Sequence, residues 1–183
     1  MPPIPADRMT PVQREAAQEI VAGRRGDLYG PFVPALRSPE FLRRLQRLGE
    51  YLRYDAALPP RLREMAIILT AREWSQEFEW DVHAPLARDA GLDASIVDDI
   101  AAGRRPAGMD GEEAILYDVF VELHGMRTLS DATYARAVEA FGEQGLIDLL
   151  GAVGYYTTLA MIMNVAGTPL PEGKTPVLPL LSR

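Results

Sequence analysis

Three side chains capable of acid/base chemistry lie close together in the middle of the sequence. His83 follows Glu79 by four residues, and Glu79 follows Gln76 by three. On a helix these spacings place the side chains on one face, where carboxylate and imidazole can meet. Glu64, on the preceding predicted helix, can hydrogen-bond His83, fix its tautomer and raise its pKa. We predict that Glu64, Glu79 and His83 transfer protons at neutral pH.

The same spacing also occurs in exposed i,i+4 pairs on ordinary helix surfaces, and the sequence leaves that interpretation open. Three further residues are candidates for contacting a substrate: Gln76 and Trp80 beside the polar face, and Tyr155 in a late helix. Aromatic pairs in such a helix more often belong to a core or a subunit interface. Arg63 and Arg72 can bind a carboxylate, although arginines on helices usually face solvent.

Composition limits the kinds of partner and chemistry. The 183 residues carry a net charge of -7 at pH 7, which disfavours nucleic acid and anionic membrane surfaces as partners. There are no cysteines, so disulfides, thiolate nucleophiles and Cys-ligated zinc are excluded. The N-terminus lacks the basic and apolar regions of a signal peptide. We therefore expect a cytoplasmic protein with no membrane contact, no bound metal and no cofactor.

The helix start and stop signals along the chain predict an all-α fold. Thr10-Pro11, Ser38-Pro39 and Pro59-Pro60 are typical helix starts, and glycines follow several apolar segments of helical periodicity. Segment 27–38 is predicted to be an ordered loop, and the last long helix to begin near Glu143. Prolines recur after Val165, so the chain should end in an extended arm.

A longer motif surrounds the acid/base residues. It runs from Arg63-Glu64-Met65-Ala66-Ile67-Ile68-Leu69 through Glu77-Phe78-Glu79-Trp80-Asp81-Val82-His83-Ala84-Pro85-Leu86-Ala87 to Ala90-Gly91-Leu92. This motif resembles the core of the carboxymuconolactone decarboxylase/AhpD-like family. In the peroxidase branch of that family, a glutamate precedes a Cys-x-x-Cys pair and a histidine. Glu64 and His83 match the glutamate and the histidine, whereas Gln76 and Glu79 stand where the cysteines would be.

The resemblance implies a single AhpD-like multi-helix domain over residues 1–183. Its core motif would span residues 60–92, with an N-terminal helical extension at 1–38 and a proline-rich C-terminal arm at 165–183. It also implies a homo-oligomer, with trimers or hexamers expected. Thiol peroxidase activity is excluded, because neither Gln nor Glu can attack a peroxide as a thiolate does.

The remaining branch implies a lyase in which a lactone acid loses carbon dioxide and the resulting dienolate is reprotonated. The substrate would be a small organic acid or lactone, and related keto-acid chemistry fits the same groups. Two alternatives stay open at the level of sequence. The cluster could bind a divalent metal through its oxygen and nitrogen atoms, or the chain could be a catalytically silent oligomeric member of the family.

Overall fold

A computed structural model describes residues 1–179 of the chain, and within that range it contains helices and no strands. A 3-10 turn (Ala6–Arg8) precedes α1, and a π-helical turn (Tyr51–Asp55) follows α3. The eight α-helices are α1 (Pro11–Ala22), α2 (Phe32–Ala35), α3 (Pro39–Glu50), α4 (Pro60–Glu73), α5 (Glu77–Asp89), α6 (Ala94–Ala101), α7 (Gly111–Met126) and α8 (Asp131–Ala166). The predicted all-α, AhpD-like fold class is confirmed.

Helix α4 lies at the centre of the molecule. Its residues from Glu64 to Arg72 are all buried, as expected for a helix that is covered on every side. One hydrophobic cluster joins α4 to α5, α6, α7 and part of α8. A second cluster joins α1, α2 and α3 to the other part of α8, and Ile67 of α4 belongs to it. The helix that carries Glu64 therefore has little freedom to move.

Helix α8 is bent at Gly142, whose φ of 68° and ψ of 169° are not helical. The bend lies next to Glu143, where the sequence predicts the last long helix to begin. By length and composition α8 could cross a membrane, with an 18-residue window of mean hydropathy 1.5, but 56% of that window is buried inside the chain. Core helices pass the same test, and Leu149, Tyr156 and Met163 of α8 pack in the two clusters.

Two predicted boundaries differ from the structure. Segment 27–38 is not a continuous loop, because Phe32, Pro34 and Ala35 are buried and form the short helix α2. Helix α8 continues to Ala166, so the extended arm begins after Val165 rather than at it. Beyond the helix, Lys174 forms an ion pair with Asp81 at 2.9 Å and holds the arm along α5. Residues 180–183 of the predicted arm lie outside the described part of the chain.

Candidate active site

Glu64 is buried because of where α4 lies. Only 6% of its surface is exposed, and its neighbours Met65 and Ile68 are fully buried. A carboxylate in such a place needs a partner, because an unpaired buried charge is very costly. The partner is His83 of α5, whose Nδ1 lies 2.7 Å from Glu64 Oε2. The contact that the sequence predicts between these two residues is present.

Glu79 engages the opposite side of the same imidazole. Its Oε2 lies 3.3 Å from His83 Nε2, and both side chains are buried. The two residues are separated by one turn of α5, and Gln76 at the start of that helix sets their orientation by capping the Phe78 amide. The imidazole is thus held between two buried carboxylates, and the interpretation of Glu79 and His83 as an exposed surface pair is wrong.

The two carboxylates decide the protonation of His83. Burial disfavours the imidazolium and by itself lowers the pKa of His83. The hydrogen bonds that His83 donates to Glu64 and Glu79, and the charges of these carboxylates, outweigh burial and place the pKa of His83 above its ordinary value. The shift extends the pH range in which the ring is charged, and in that form one N–H is donated to each carboxylate. Such a group can act as a general acid.

One side of the cluster faces a cavity. His83 and Glu79 line it, whereas Glu64 lies behind the imidazole and does not. The space that water can occupy is about 20 Å³, enough for about one molecule. Glu64 is thus placed to orient and charge the ring, and Glu79 with His83 Nε2 is placed to meet a ligand.

Two adjacent tyrosines of α8 form another wall of the cavity. The Tyr156 ring meets the His83 ring edge-on at 5.1 Å between centroids, and Tyr155 packs against Tyr156 at 5.2 Å. Burial raises the pKa of both hydroxyls, so they stay protonated. The Tyr155 hydroxyl is buried and has no hydrogen-bond partner within residues 1–179. It lies against Gly49 of α3, and a buried donor without a partner is uncommon in a folded protein.

Two arginines complete the polar lining, and the sequence did not point to them. Arg53 lies on the π-helical turn, and no carboxylate within residues 1–179 forms an ion pair with it. Arg25 stacks on Phe32 at 4.0 Å and donates to Gln46 at 2.9 Å. A cation beside a general acid is suited to holding an anionic substrate.

The other two residues predicted to contact a substrate lie away from the cavity. Gln76 is occupied by the Phe78 amide at 2.8 Å and by Asn164 at 2.8 Å, which fastens α5 to the end of α8. Trp80 is 5% exposed and belongs to the first hydrophobic cluster. Neither residue lines the cavity, in contrast to Tyr155. Substrate contact by Gln76 and Trp80 stays a prediction, and their observed contacts are structural.

The geometry does not favour the metal-binding alternative. A histidine binds a metal through an unprotonated ring nitrogen, and here both nitrogens of His83 are paired with carboxylates on opposite sides of the ring. Across residues 1–179, no three or more His, Asp and Glu side chains are grouped as metal ligands.

Part of the chain matches a known protein family. Residues 39–116 match the model of the carboxymuconolactone decarboxylase family. Over these residues the chain is similar to the carboxymuconolactone decarboxylase family. The matched segment runs from α3 to the middle of α7 and contains Glu64, Glu79 and His83. The resemblance that the sequence predicts is confirmed, and the chain differs from the family's peroxidases in having no cysteine.

A solved structure shows the same fold. It is a protein of unknown function from Agrobacterium tumefaciens, provisionally named as the antioxidant defence protein AhpD. The two chains are 17% identical and superpose with a TM-score of 0.65 over 75% of this chain and 94% of the other. At that identity the likeness establishes the AhpD-like fold and not the activity. No curated protein sequence matches this chain significantly.

The family segment supplies the proton-transfer groups but only part of the cavity. Arg53, Phe78, Glu79, Val82 and His83 come from within residues 39–116. The remaining lining residues come from the α1–α2 region and from α8, outside the segment: Arg25, Tyr29, Pro31, Phe32, Tyr155, Tyr156 and Leu159. The extensions on both sides of the segment therefore enclose the acid/base cluster.

Proposed function

We propose that this chain is a small-molecule enzyme that uses Glu64, His83 and Glu79 for proton transfer to an organic acid or lactone. The observation that carries the proposal is the imidazole held between two buried carboxylates, with Glu79 and one edge of the ring at a cavity. Burial and paired charges of this kind are typical of sites that do acid/base chemistry. Within this class, decarboxylation of a lactone acid is the reaction that the family relationship favours.

The lining of the cavity supports an anionic substrate with an unsaturated or ring-shaped body. Arg53 and Arg25 supply positive charge, while Tyr29, Phe32 and Tyr156 supply aromatic surface. The free hydroxyl of Tyr155 is a hydrogen-bond donor for a substrate oxygen. We place a carboxylate of the substrate against Arg53, because this guanidinium has no ion-pair partner of its own within residues 1–179.

The proposed reaction balances with the groups present. The bond between carbon and the departing carboxylate breaks, carbon dioxide leaves, and the electron pair passes into the conjugated carbonyl as a dienolate. The Tyr155 hydroxyl donates a hydrogen bond to the dienolate oxygen. His83 Nε2 gives its proton to carbon and becomes neutral, and one proton taken up from the solvent restores the imidazolium, so that carbon dioxide is replaced by one proton at carbon. Glu64 holds the ring and stabilises its charged form, and Glu79 receives and returns protons at the cavity.

The cavity must widen before such a substrate can enter, since its present free space fits about one water molecule. We assign this movement to segment 29–31, which belongs to the connection between α1 and α2. Closure after binding would exclude water from the proton transfer.

Deuterium exchange tests proton transfer even while the net reaction is unidentified. Purified protein is incubated in D₂O with a panel of unsaturated lactone acids and keto acids, and deuterium at carbon and loss of carboxylate are followed by NMR. We expect turnover of at least one compound by the wild type and a loss of roughly 10²-fold or more in His83→Gln and Glu79→Gln. The control is His124→Gln, which removes the other histidine of the chain. Equal rates in His83→Gln and the wild type would contradict the proposal.

A second pair of variants tests the placement of the substrate carboxylate. Arg53→Met should raise KM by about tenfold or more with a smaller change in kcat, because a charge-assisted hydrogen bond is lost in substrate binding. Arg24→Met is the matched control, since Arg24 also stacks on Tyr54 but pairs with Asp55 at the surface. If both variants change KM equally, Arg53 does not hold the substrate.

We also propose that the chain forms a homo-oligomer, a trimer or hexamer. Support comes from an apolar face on α3 and α8 that carries several exposed large side chains: Phe41, Leu48, Ile147, Met161 and Val165. Exposed apolar surface of this kind is typical of subunit contacts. Light scattering after size exclusion measures the mass, and Ile147→Asp should lower it. A monomeric wild type would contradict this proposal without affecting the proton-transfer proposal.

A further inference from the structure

Arg72, near the end of α4, is a buried cation that forms no ion pair with any residue in the range 1–179. Only 4% of the surface of Arg72 is exposed. Its Nε and Nη1 groups have no hydrogen-bond acceptor within residues 1–179. The sequence pattern favoured a solvent-facing arginine at this position, and that expectation is wrong. Burial of a guanidinium without an acceptor is energetically costly. A feature this costly requires an explanation.

The carboxylate whose charge acts on Arg72 is already hydrogen-bonded to other groups. Glu77 is the acid whose charge acts on Arg72, but its two oxygens accept the backbone amides of Val177 and Leu178 at 3.0 Å. Glu77 therefore secures the C-terminal arm and does not neutralise Arg72 by contact. Arg72 keeps its charge, since a guanidinium is not deprotonated in proteins.

Arg72 lines a second cavity, between α4, α6 and α7. This cavity has a volume of about 140 Å³, which is room for several water molecules. Leu69, Ile100 and Phe120 form its apolar walls, and Arg104 lies at its rim. No lining residue within 1–179 is shared with the cavity at His83. Arg72 also lies eight residues beyond Glu64, about 12 Å along the helix.

We propose that this second cavity binds a small oxyanion, a carboxylate or a phosphate, with Arg72 as its main ligand. The planar guanidinium donates in pairs to such groups, Arg72 lines this cavity, and its Nε and Nη1 have no acceptor within residues 1–179. The Tyr117 ring lies at the same cavity, and burial raises the pKa of its hydroxyl, so it remains a donor. Binding here is independent of the proton-transfer cluster and of the function proposed for it.

The cavity also contains one opposing charge. Glu73 lies at the rim, where it is exposed, and its carboxylate repels an anion. The proposal can therefore be tested by two substitutions with opposite effects on anion affinity. Removal of Arg72 should weaken anion binding, and removal of the charge on Glu73 should strengthen it.

The direct measurement follows arginine side-chain resonances during titration. Protein labelled with ¹⁵N-arginine is titrated with inorganic phosphate and, separately, with acetate at constant ionic strength. We expect a saturable shift of the Arg72 Nε–H signal, assigned from its absence in Arg72→Met. Arg44, whose side chain is 73% exposed and paired at the surface with Glu40, is the internal control and should show no saturable shift.

Thermal unfolding in the same titrations gives the affinity of each variant, because a ligand of the native state raises Tm. Arg72→Met should bind phosphate roughly tenfold or more weakly than wild type, the factor expected for a lost charge-assisted hydrogen bond. Glu73→Gln should bind it more tightly. A flat response of the Arg72 signal to both anions would overturn the proposal, as would unchanged affinity in Arg72→Met. If Arg72→Met does not fold, the wild-type spectra and Glu73→Gln decide the question.

Discussion

The substitution Glu64→Gln separates the charge of Glu64 from its shape. An amide of the same size can still accept a hydrogen bond from His83 Nδ1, but it provides no negative charge. Burial, which lowers the pKa of His83, is then opposed by Glu79 alone. The pKa of His83 should fall relative to wild type, and the ring should lose its proton at a lower pH.

Stability should change in a pH-dependent way. In the wild type the folded-state pKa of His83 is raised above its unfolded value of about 6.5. The stabilisation is therefore complete below about pH 6.5 and is lost as the pH rises through the folded-state pKa. In Glu64→Gln at low pH we expect a loss of about 1.5–3 kcal/mol, the contribution of a hydrogen bond to a charged group. For a chain of this size that lowers Tm by roughly 3–12 °C.

The assay is favourable because the chain has two histidines. Imidazole NMR spectra recorded across pH give two titration curves, and His124→Gln identifies the curve of His83. Glu139→Gln, an exposed site on α8, controls for the change in net charge. The reasoning is refuted if the pKa of His83 in Glu64→Gln equals or exceeds that of the wild type. It is also refuted if the difference in Tm is as large well above the wild-type pKa of His83 as below it.

Three further substitutions test other parts of the structure. Tyr155→Phe should leave Tm unchanged or slightly higher, because the hydroxyl has no partner to lose within residues 1–179, while turnover falls. Gly49→Ala should cost about 1–3 kcal/mol by chemical denaturation, since its Cβ would overlap the Tyr155 hydroxyl; Gly111→Ala, with nothing within 4 Å, should show no loss. Asp148→Asn should cost about 1–2 kcal/mol and speed hydrogen exchange at Ala57, whose amide donates to Asp148 at 2.8 Å. Normal exchange at Ala57 in that variant would show that the contact contributes little.

The core of the site could be predicted because short spacing and composition constrain it. A separation of four residues on a helix necessarily brings Glu79 to His83. The apolar residues around Glu64 indicate that α4 is buried, so its carboxylate must find a partner on a neighbouring helix. The family resemblance names that partner as His83, and the 2.7 Å contact confirms it.

The rest of the lining depends on information that spacing does not contain. Arg53 lies on a π-helical turn, and no periodicity in the sequence indicates that turn or the direction of its side chains. Gln76 looks available for a substrate, yet Ser75 adopts a positive φ of 46° and Gln76 becomes the cap of α5. Arg72 looks like a surface residue until α6 and α7 are placed over α4. Each of these depends on how distant helices pack.

The candidate site is built from residues inside and outside the segment that matches the family. The acid/base trio comes from the segment that matches the family, whereas most of the surrounding wall comes from the chain's two ends. A chimera that keeps the middle and exchanges the flanking regions would therefore retain its chemistry while accepting a differently shaped molecule. Under the proposed function, selectivity could then be redesigned at residues 25–32 and in α8, without changing Glu64, Glu79 or His83.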